Sequence, residues 1–169
     1  SIFNIFFNQK NMGLYIWGDV GRGKTLIVKE YIKQLKRLDI ESFHYIDFMS
    51  FIHNELNNNA GNKNPLNKVA KTITSNSNLI FIDEFQVEDV ADAMIIGNLL
   101  QKILNFGTRI IFTSNSHPDD LYKNGLQRKK FIDTVKISMK DIDIYNLKGD
   151  TDYRTRNIIG IDTSDQQKS

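Results

Sequence analysis

Between Gly18 and Thr25 the chain reads GDVGRGKT. Gly18, four intervening residues, then Gly23-Lys24-Thr25 is the spacing of a phosphate-binding loop. Its glycines let successive backbone N–H groups turn inward around an anion, the lysine reaches the β- and γ-phosphates, and the threonine hydroxyl can hold Mg²⁺. Gly18, Asp19, Val20, Gly21, Arg22, Gly23, Lys24 and Thr25 are therefore candidate nucleotide contacts. Leu14-Tyr15-Ile16-Trp17 before the loop reads as a buried strand, and Leu26-Ile27-Val28 after it opens a helical pattern. A helix beginning at about Lys24 points its positive end at the same place. The plainer reading is a glycine-rich turn, which the flanking strand and helix disfavour.

A second acidic signal follows at Leu79-Ile80-Phe81-Ile82-Asp83-Glu84. Four consecutive apolar residues suit a parallel strand covered on both faces. Carboxylates at the end of such a strand are costly unless something cationic meets them. Asp83 would bind Mg²⁺ directly or through water, and Glu84 would orient and polarise an attacking water. The alternative is an acidic helix N-terminus, since a helical run follows from about Val90 to Leu104. Arg109 to Thr113 is another apolar strand, delivering Thr113-Ser114-Asn115 at its carboxyl end, where open α/β sheets bind ligands. Asn115 can donate to a γ-phosphate and accept from water; otherwise it is a turn residue ahead of Pro118. Asp119 and Asp120 read as helix-capping carboxylates. Within the basic run Arg128-Lys129-Lys130, Arg128 is either part of a solvated patch or an arginine finger completing a neighbouring subunit's site, worth roughly 10³ to 10⁵ in rate. His44, His53 and His117 lack metal-ligand spacing and read as structural or surface residues.

The remaining pattern supplies elements that hold these residues. Ile27, Tyr31, Leu35 and Leu38 recur at helical spacing, which predicts an amphipathic helix after the phosphate loop. Ser42 to Ile46 reads as a short strand, and Phe48, Met49, Phe51, Ile52 and Leu56 as a helix whose aromatic and Met stripe is core. Asn57 to Pro65 is an Asn-rich loop. Leu66 to Ile73 reads as a short helix, the stretch from Leu121 to Met139 as mostly helical, and Ile142 to Tyr145 as a final alternating strand. Together these predict a three-layer α/β domain with a mostly parallel five-stranded sheet and helices on both faces. The core domain is expected over residues 1–161, with a disordered polar tail over 162–169. Ile2-Phe3 and Ile5-Phe6-Phe7 lack the flanks of a secretory signal and are expected to pack on the sheet edge or over a nucleotide base.

At 169 residues, 40% hydrophobic and 25% charged, the chain has the composition of one globular domain. A net charge of +2 gives no whole-molecule field for nucleic acid or membrane. The absence of cysteine excludes disulfides and thiolate metal sites. No apolar run approaches the roughly 20 residues of a membrane-spanning helix.

GLYIWGDVGRGKT (Gly13 to Thr25), DEFQVEDVADAMI (Asp83 to Ile95), TSNSHPDDLYKNGLQRKKF (Thr113 to Phe131) and GDTDYR (Gly149 to Arg154) together resemble the ZapE cell-division ATPases of bacteria and their mitochondrial relatives of the lactation elevated protein type. Phe48-Met49 with His53, and Asn64-Pro65-Leu66 with Val69-Ala70, add to the likeness. The resemblance implies an AAA+ P-loop ATPase that hydrolyses ATP with Mg²⁺. The Walker A loop would be Gly18, Gly21, Gly23, Lys24 and Thr25, the Walker B pair Asp83 and Glu84, sensor 1 Asn115, and the finger Arg128. It implies the strand order 5-1-4-3-2. It further implies a homo-oligomer acting on a protein partner in division or quality control, in the bacterial cytoplasm or at the inner-membrane surface, or in mitochondria. Three departures stand out. Asp19 occupies a position where Gly is usual, Ile46 one where His is common, and the helical lid and N-terminal segment normal to such proteins are missing. A DNA-associated loader of the replication type, and a nucleotide-binding fragment or scaffold with little turnover, are the competing readings.

Overall fold

The computed structural model of the chain describes residues 11–21 and 23–147. The apolar segment at Ile2 to Phe7, Arg22, the Gly149–Arg154 stretch and the polar tail lie outside the described residues. Strands and helices alternate: β1 (Gly13–Trp17), α1 (Gly23–Lys33), β2 (Ile40–His44), α2 (Tyr45–Asn58), α3 (Pro65–Ser75), β3 (Leu79–Asp83), α4 (Val90–Asn105), β4 (Arg109–Ser114), a short 3₁₀ turn (Pro118–Asp120), α5 (Arg128–Met139) and β5 (Ile142–Asn146). The strands form one sheet in the order β2-β3-β4-β1-β5, the sequence 5-1-4-3-2 read from the other edge. All four pairings are parallel, so this sheet goes beyond the mostly parallel one expected.

Alternation along the apolar strands splits the core in two. Leu14, Ile16, Leu79, Phe81 and Ile111 pack on Ile27 and Val28 of α1. Tyr15, Ile80, Ile82, Ile110 and Phe112 face the opposite way, against Phe48 and Ile52 of α2, Val69 and Ile73 of α3, Ile96 and Leu100 of α4, and Phe131 and Val135 of α5. This is why these strands read as unbroken apolar runs: each side chain meets a helix whichever face it points to. The Phe48 and Met49 stripe is core, as its spacing suggested. From β1 the chain crosses past β4 and β3 to reach β2, so the carboxyl ends of β1 and β4 border a topological switch point, where doubly wound sheets bind ligands.

Boundaries differ from the sequence reading in four places. The first helix stops at Lys33 and not at Leu38: Gln34 N–H bonds Tyr31 O and Leu35 N–H bonds Ile32 O, both at 3.0 Å, a tightening that ends the helix. Leu35 still packs on the α1 side of the core, which is why the periodicity ran on. The second strand lies two residues earlier than read, because His44 Nδ1 accepts the Ile46 N–H at 3.3 Å and caps α2. His117, and neither Asp119 nor Asp120, caps the 3₁₀ turn, its Nδ1 accepting the Asp119 N–H at 3.0 Å. Leu121 to Gln127 is a loop, with α5 beginning only at Arg128.

Helices α4 and α5 approach closely at Gly97. Ser138 Oγ donates to Gly97 O at 2.8 Å, and a Cβ on Gly97 would fall 2.2 Å from Thr134 Oγ1. Gly97→Val should therefore destabilise the fold by about 1–3 kcal/mol through overpacking. A shift in the chemical-denaturation midpoint measures it, and an unchanged midpoint would show that the two helices separate freely.

Candidate nucleotide-binding and active site

The loop between β1 and α1 is shaped first by main-chain crowding. Gly18 N–H bonds Ser114 O at 3.2 Å, tying the loop to the end of β4. On the other side Leu147 N–H bonds Trp17 O at 2.7 Å, and a Cβ on Gly18 would lie 2.3 Å from Leu147 O. Only glycine fits between the neighbouring strand ends. Gly23 then opens α1 and brings Lys24 and Thr25 to its first turn, with no acidic residue there to compete for the helix's positive end.

Lys24 is buried, and its Nζ donates to Gly18 O at 3.2 Å and to Asp19 O at 2.5 Å. Burial lowers its pKa, while the carboxylates of Asp19, Asp83 and Glu84 oppose that shift. The unusual Asp19 thus acts on the lysine by charge as well as by its carbonyl. Thr25 Oγ1 donates to Asp83 Oδ1 at 2.7 Å, and Thr113 Oγ1 donates to the same oxygen at 2.5 Å. Two hydroxyls from α1 and β4 therefore converge on the carboxylate that ends β3.

Glu84 adopts a left-handed backbone conformation, φ 55°. Such a conformation costs a non-glycine residue on the order of 1–3 kcal/mol and persists where its surroundings impose it. Here they do: Glu84 N–H donates to Thr113 Oγ1 at 3.0 Å, Phe85 N–H to Thr113 O at 2.7 Å, and Ser114 Oγ to Phe85 O at 2.7 Å. The turn swings the Glu84 side chain toward β2, where its Oε2 lies 2.7 Å from His44 Nε2. Because His44 Nδ1 accepts the Ile46 N–H, the ring proton sits on Nε2 and His44 is the donor to the carboxylate.

These groups line one cleft of about 460 Å³, walled by Val20, Gly21, Lys24 and Thr25, by Leu26 and Lys29 of α1, by Asp83 and Glu84, and by Thr113 to Asn115. That is within the usual size of a small-ligand site, roughly 300–1,000 Å³. The oxygen donors of Thr25 and Asp83 suit Mg²⁺, a hard cation that takes one or two protein ligands and completes its shell with phosphate and water. Among the described residues no group of three or more His, Asp and Glu could cage a metal alone, as a metal shared with a ligand's phosphates would not require.

The model of the AFG1-like ATPase family matches residues 3–166, nearly the whole chain. The chain belongs to the AFG1-like ATPase family. Two relatives agree: the cell division protein ZapE of Escherichia coli, 36% identical over 146 residues that make up 86% of this chain and 39% of that protein, and lactation elevated protein 1 homolog B of Danio rerio, 34% identical over 155 residues, 85% and 31% of the two. The chain thus spans well under half the length of either. Two solved structures share the AAA+ P-loop fold. They are domain III of the Thermotoga maritima replication initiation protein DnaA (TM-score 0.63, 17% identity, 99% of this chain and 67% of that one) and AMPPCP-bound DnaA from Aquifex aeolicus (TM-score 0.58, 18% identity, 97% and 49%).

In this AFG1-like domain the cleft gathers most residues singled out from sequence: Val20, Gly21, Lys24, Thr25, Asp83, Glu84 and Asn115 line it, while Gly18 and Asp19 reach Lys24 through their carbonyls. Arg128 is not among them. Its Nε donates to Tyr122 O at 3.1 Å, and its Nη2 to Asp119 O at 2.6 Å and Leu121 O at 3.1 Å. Two participants were not foreseen: Thr113 as the partner of both Asp83 and Glu84, and His44 as the partner of Glu84. The strand order already put β2 beside β3, and the register pairs His44 with Asp83. Placing the strand two residues late had put Ile46, an exposed residue on the first turn of α2, at that point instead.

Thr113→Val keeps the shape of a buried residue but removes the hydroxyl that serves Asp83 and Glu84 N–H together. The loss should be about 1–3 kcal/mol, the cost of leaving a polar group without its partner. Equilibrium urea unfolding reads it, and a valine variant as stable as the unmodified chain would remove Thr113 from the network.

Proposed function

We propose that this chain binds ATP with Mg²⁺ in the cleft between the β1–α1 loop and the ends of β3 and β4, and hydrolyses it to ADP and phosphate. The observation that carries this reading is the convergence of Thr25 and Thr113 on Asp83 beside the buried amine of Lys24. The β- and γ-phosphates would lie against the loop N–H groups and the positive end of α1. Lys24 Nζ would exchange its bonds to Gly18 O and Asp19 O for phosphate oxygens, whose charge would offset the cost of burying the amine. Thr25 and Asp83 would hold Mg²⁺, which neutralises charge on the β- and γ-oxygens when bound.

Glu84 would accept a hydrogen bond from a water aligned with the γ-phosphorus, and Asn115 would donate to a γ-oxygen from the opposite wall. The water oxygen bonds to phosphorus, the bond to the β–γ bridging oxygen breaks, and the water's protons leave with the phosphate and Glu84. Because His44 holds Oε2 of Glu84, Glu84 would meet the water through Oε1 or give up the His44 bond. The ZapE and lactation elevated protein likeness supports coupling of this cycle to the positioning or remodelling of a protein partner by a homo-oligomer, in the bacterial cytoplasm or at the inner-membrane surface, or in mitochondria. No helix among the described residues is long and apolar enough to cross a membrane.

The single Trp, Trp17, adjoins the phosphate loop and provides a fluorescence signal for nucleotide binding. Lys24→Ala should weaken MgATP binding about tenfold to a hundredfold or beyond detection, as expected for loss of charge-assisted bonds. Glu84→Gln should bind as the unmodified chain does while phosphate release falls about 10²- to 10⁴-fold. Unchanged turnover in Glu84→Gln would sink the water-orienting role, and unchanged binding in Lys24→Ala would sink the site.

A further inference from the structure

The loop between the 3₁₀ turn and α5 is the most contorted stretch among the described residues. Tyr122, Asn124 and Gln127 all hold left-handed backbone angles, φ 55°, 60° and 58°. Non-glycine residues keep such angles only where neighbours enforce them. Tyr122 supplies part of the enforcement: its hydroxyl donates to Leu126 O at 2.8 Å, and its ring meets Phe131 edge-on with centroids 5.2 Å apart. Gly125 lies so close over that ring that a Cβ would fall 2.2 Å from it. Arg128 supplies the rest. Its guanidinium, a rigid planar fork of donors, bonds the main-chain oxygens of Asp119, Leu121 and Tyr122 together. The adjacent Lys129 pairs with Asp133 at 3.0 Å, and both it and Lys130 face outward; of the basic run, only Arg128 turns in.

We infer that Arg128 is a clamp acting within its own chain, holding the Asp119–Gln127 loop in the conformation that walls a cleft of about 250 Å³ against Gln86, Val87 and Glu88, the segment just past Glu84. The clamp engages Nε and Nη2 within its own chain, so a finger reaching into another subunit would have to break these bonds. Arg128 is thereby a positioning residue. Its influence on turnover passes through the loop facing the Glu84 segment, and its loss is felt in the chain that carries it.

The test separates the two roles. Exposed Lys123, midway along the loop, reports its opening as a trypsin site. In the full chain without nucleotide, Arg128→Ala should speed cleavage after Lys123 about tenfold or more, the population change expected when charge-assisted bonds are removed. Arg128→Lys keeps the charge but loses the rigid planar fork that spans the three carbonyls, and should fall between. Gly125→Ala leaves Arg128 intact yet disrupts the same loop, and should reproduce the faster cleavage if Arg128→Ala is too unstable to handle. Nucleotide affinity by Trp17 fluorescence should be unchanged in Arg128→Ala while turnover falls, and mixing with Lys24→Ala, which carries an intact Arg128, should restore nothing. Unaltered cleavage, or turnover recovered on mixing, overturns the clamp. The turnover arm rests on the ATPase reading. If the unmodified chain releases no phosphate that reading fails, and the cleavage rates alone decide the clamp.

Discussion

A carboxylate at the tip of a buried strand has to be met by donors, and in this domain the two hydroxyls that meet Asp83 come from different elements. Thr25 belongs to α1 and Thr113 to β4, and both donate to one oxygen of Asp83 on β3. One helix and two neighbouring strands of the sheet are thereby brought to a common point. The rest of the site follows from it. Thr113 is fixed by Asp83 and in turn accepts the Glu84 N–H, which turns Glu84 out of the strand direction and toward His44. The phosphate loop is held to β4 through Gly18 and Ser114, so its lysine and threonine are presented beside the same carboxylate. One hydroxyl thus serves both the carboxylate that ends β3 and the turn that follows it.

The loop and the acidic strand tip were legible because their chemistry demands residue types at short spacing. A phosphate loop needs glycines, lysine and threonine within eight positions, and a covered parallel strand needs an unbroken apolar run, so both stand out along the chain. His44 and Thr113 did not stand out as partners of Glu84, since nothing local ties them to it: they come from strands 40 and 29 positions away, joined only by the order of the sheet. The end of α1 and the start of β2 were misplaced for a related reason. Leu35 is half-buried after its helix has ended, and Tyr45 is buried as the first residue of a helix, so hydrophobic periodicity marks burial there and not the element. His53 fits the structural reading, paired with Asp92 of α4 at 2.6 Å.

Arg128 shows the limit of spacing from the other direction. A basic run after a polar strand end suggests charge offered outward, yet the loop before it contains three left-handed residues that need holding, and its own arginine is the nearest donor. Sequence spacing registers the charge but not the direction it faces. Of the three left-handed residues in the loop only Asn124 is of a type that favours such angles, so the carbonyls Arg128 meets are not advertised by residue type at Tyr122.

The uneven layering has a mechanical consequence. Among the described residues α1 is the only helix over one side of the sheet, and the same eleven residues that shield Leu79, Phe81 and Ile111 also begin with Gly23, Lys24 and Thr25. Loss of this helix therefore uncovers the smaller of the two core clusters. Ligand affinity and resistance to heat are in this way one property, and a molecule that grips the first turn of that helix protects the whole sheet against melting in proportion to how tightly it is held.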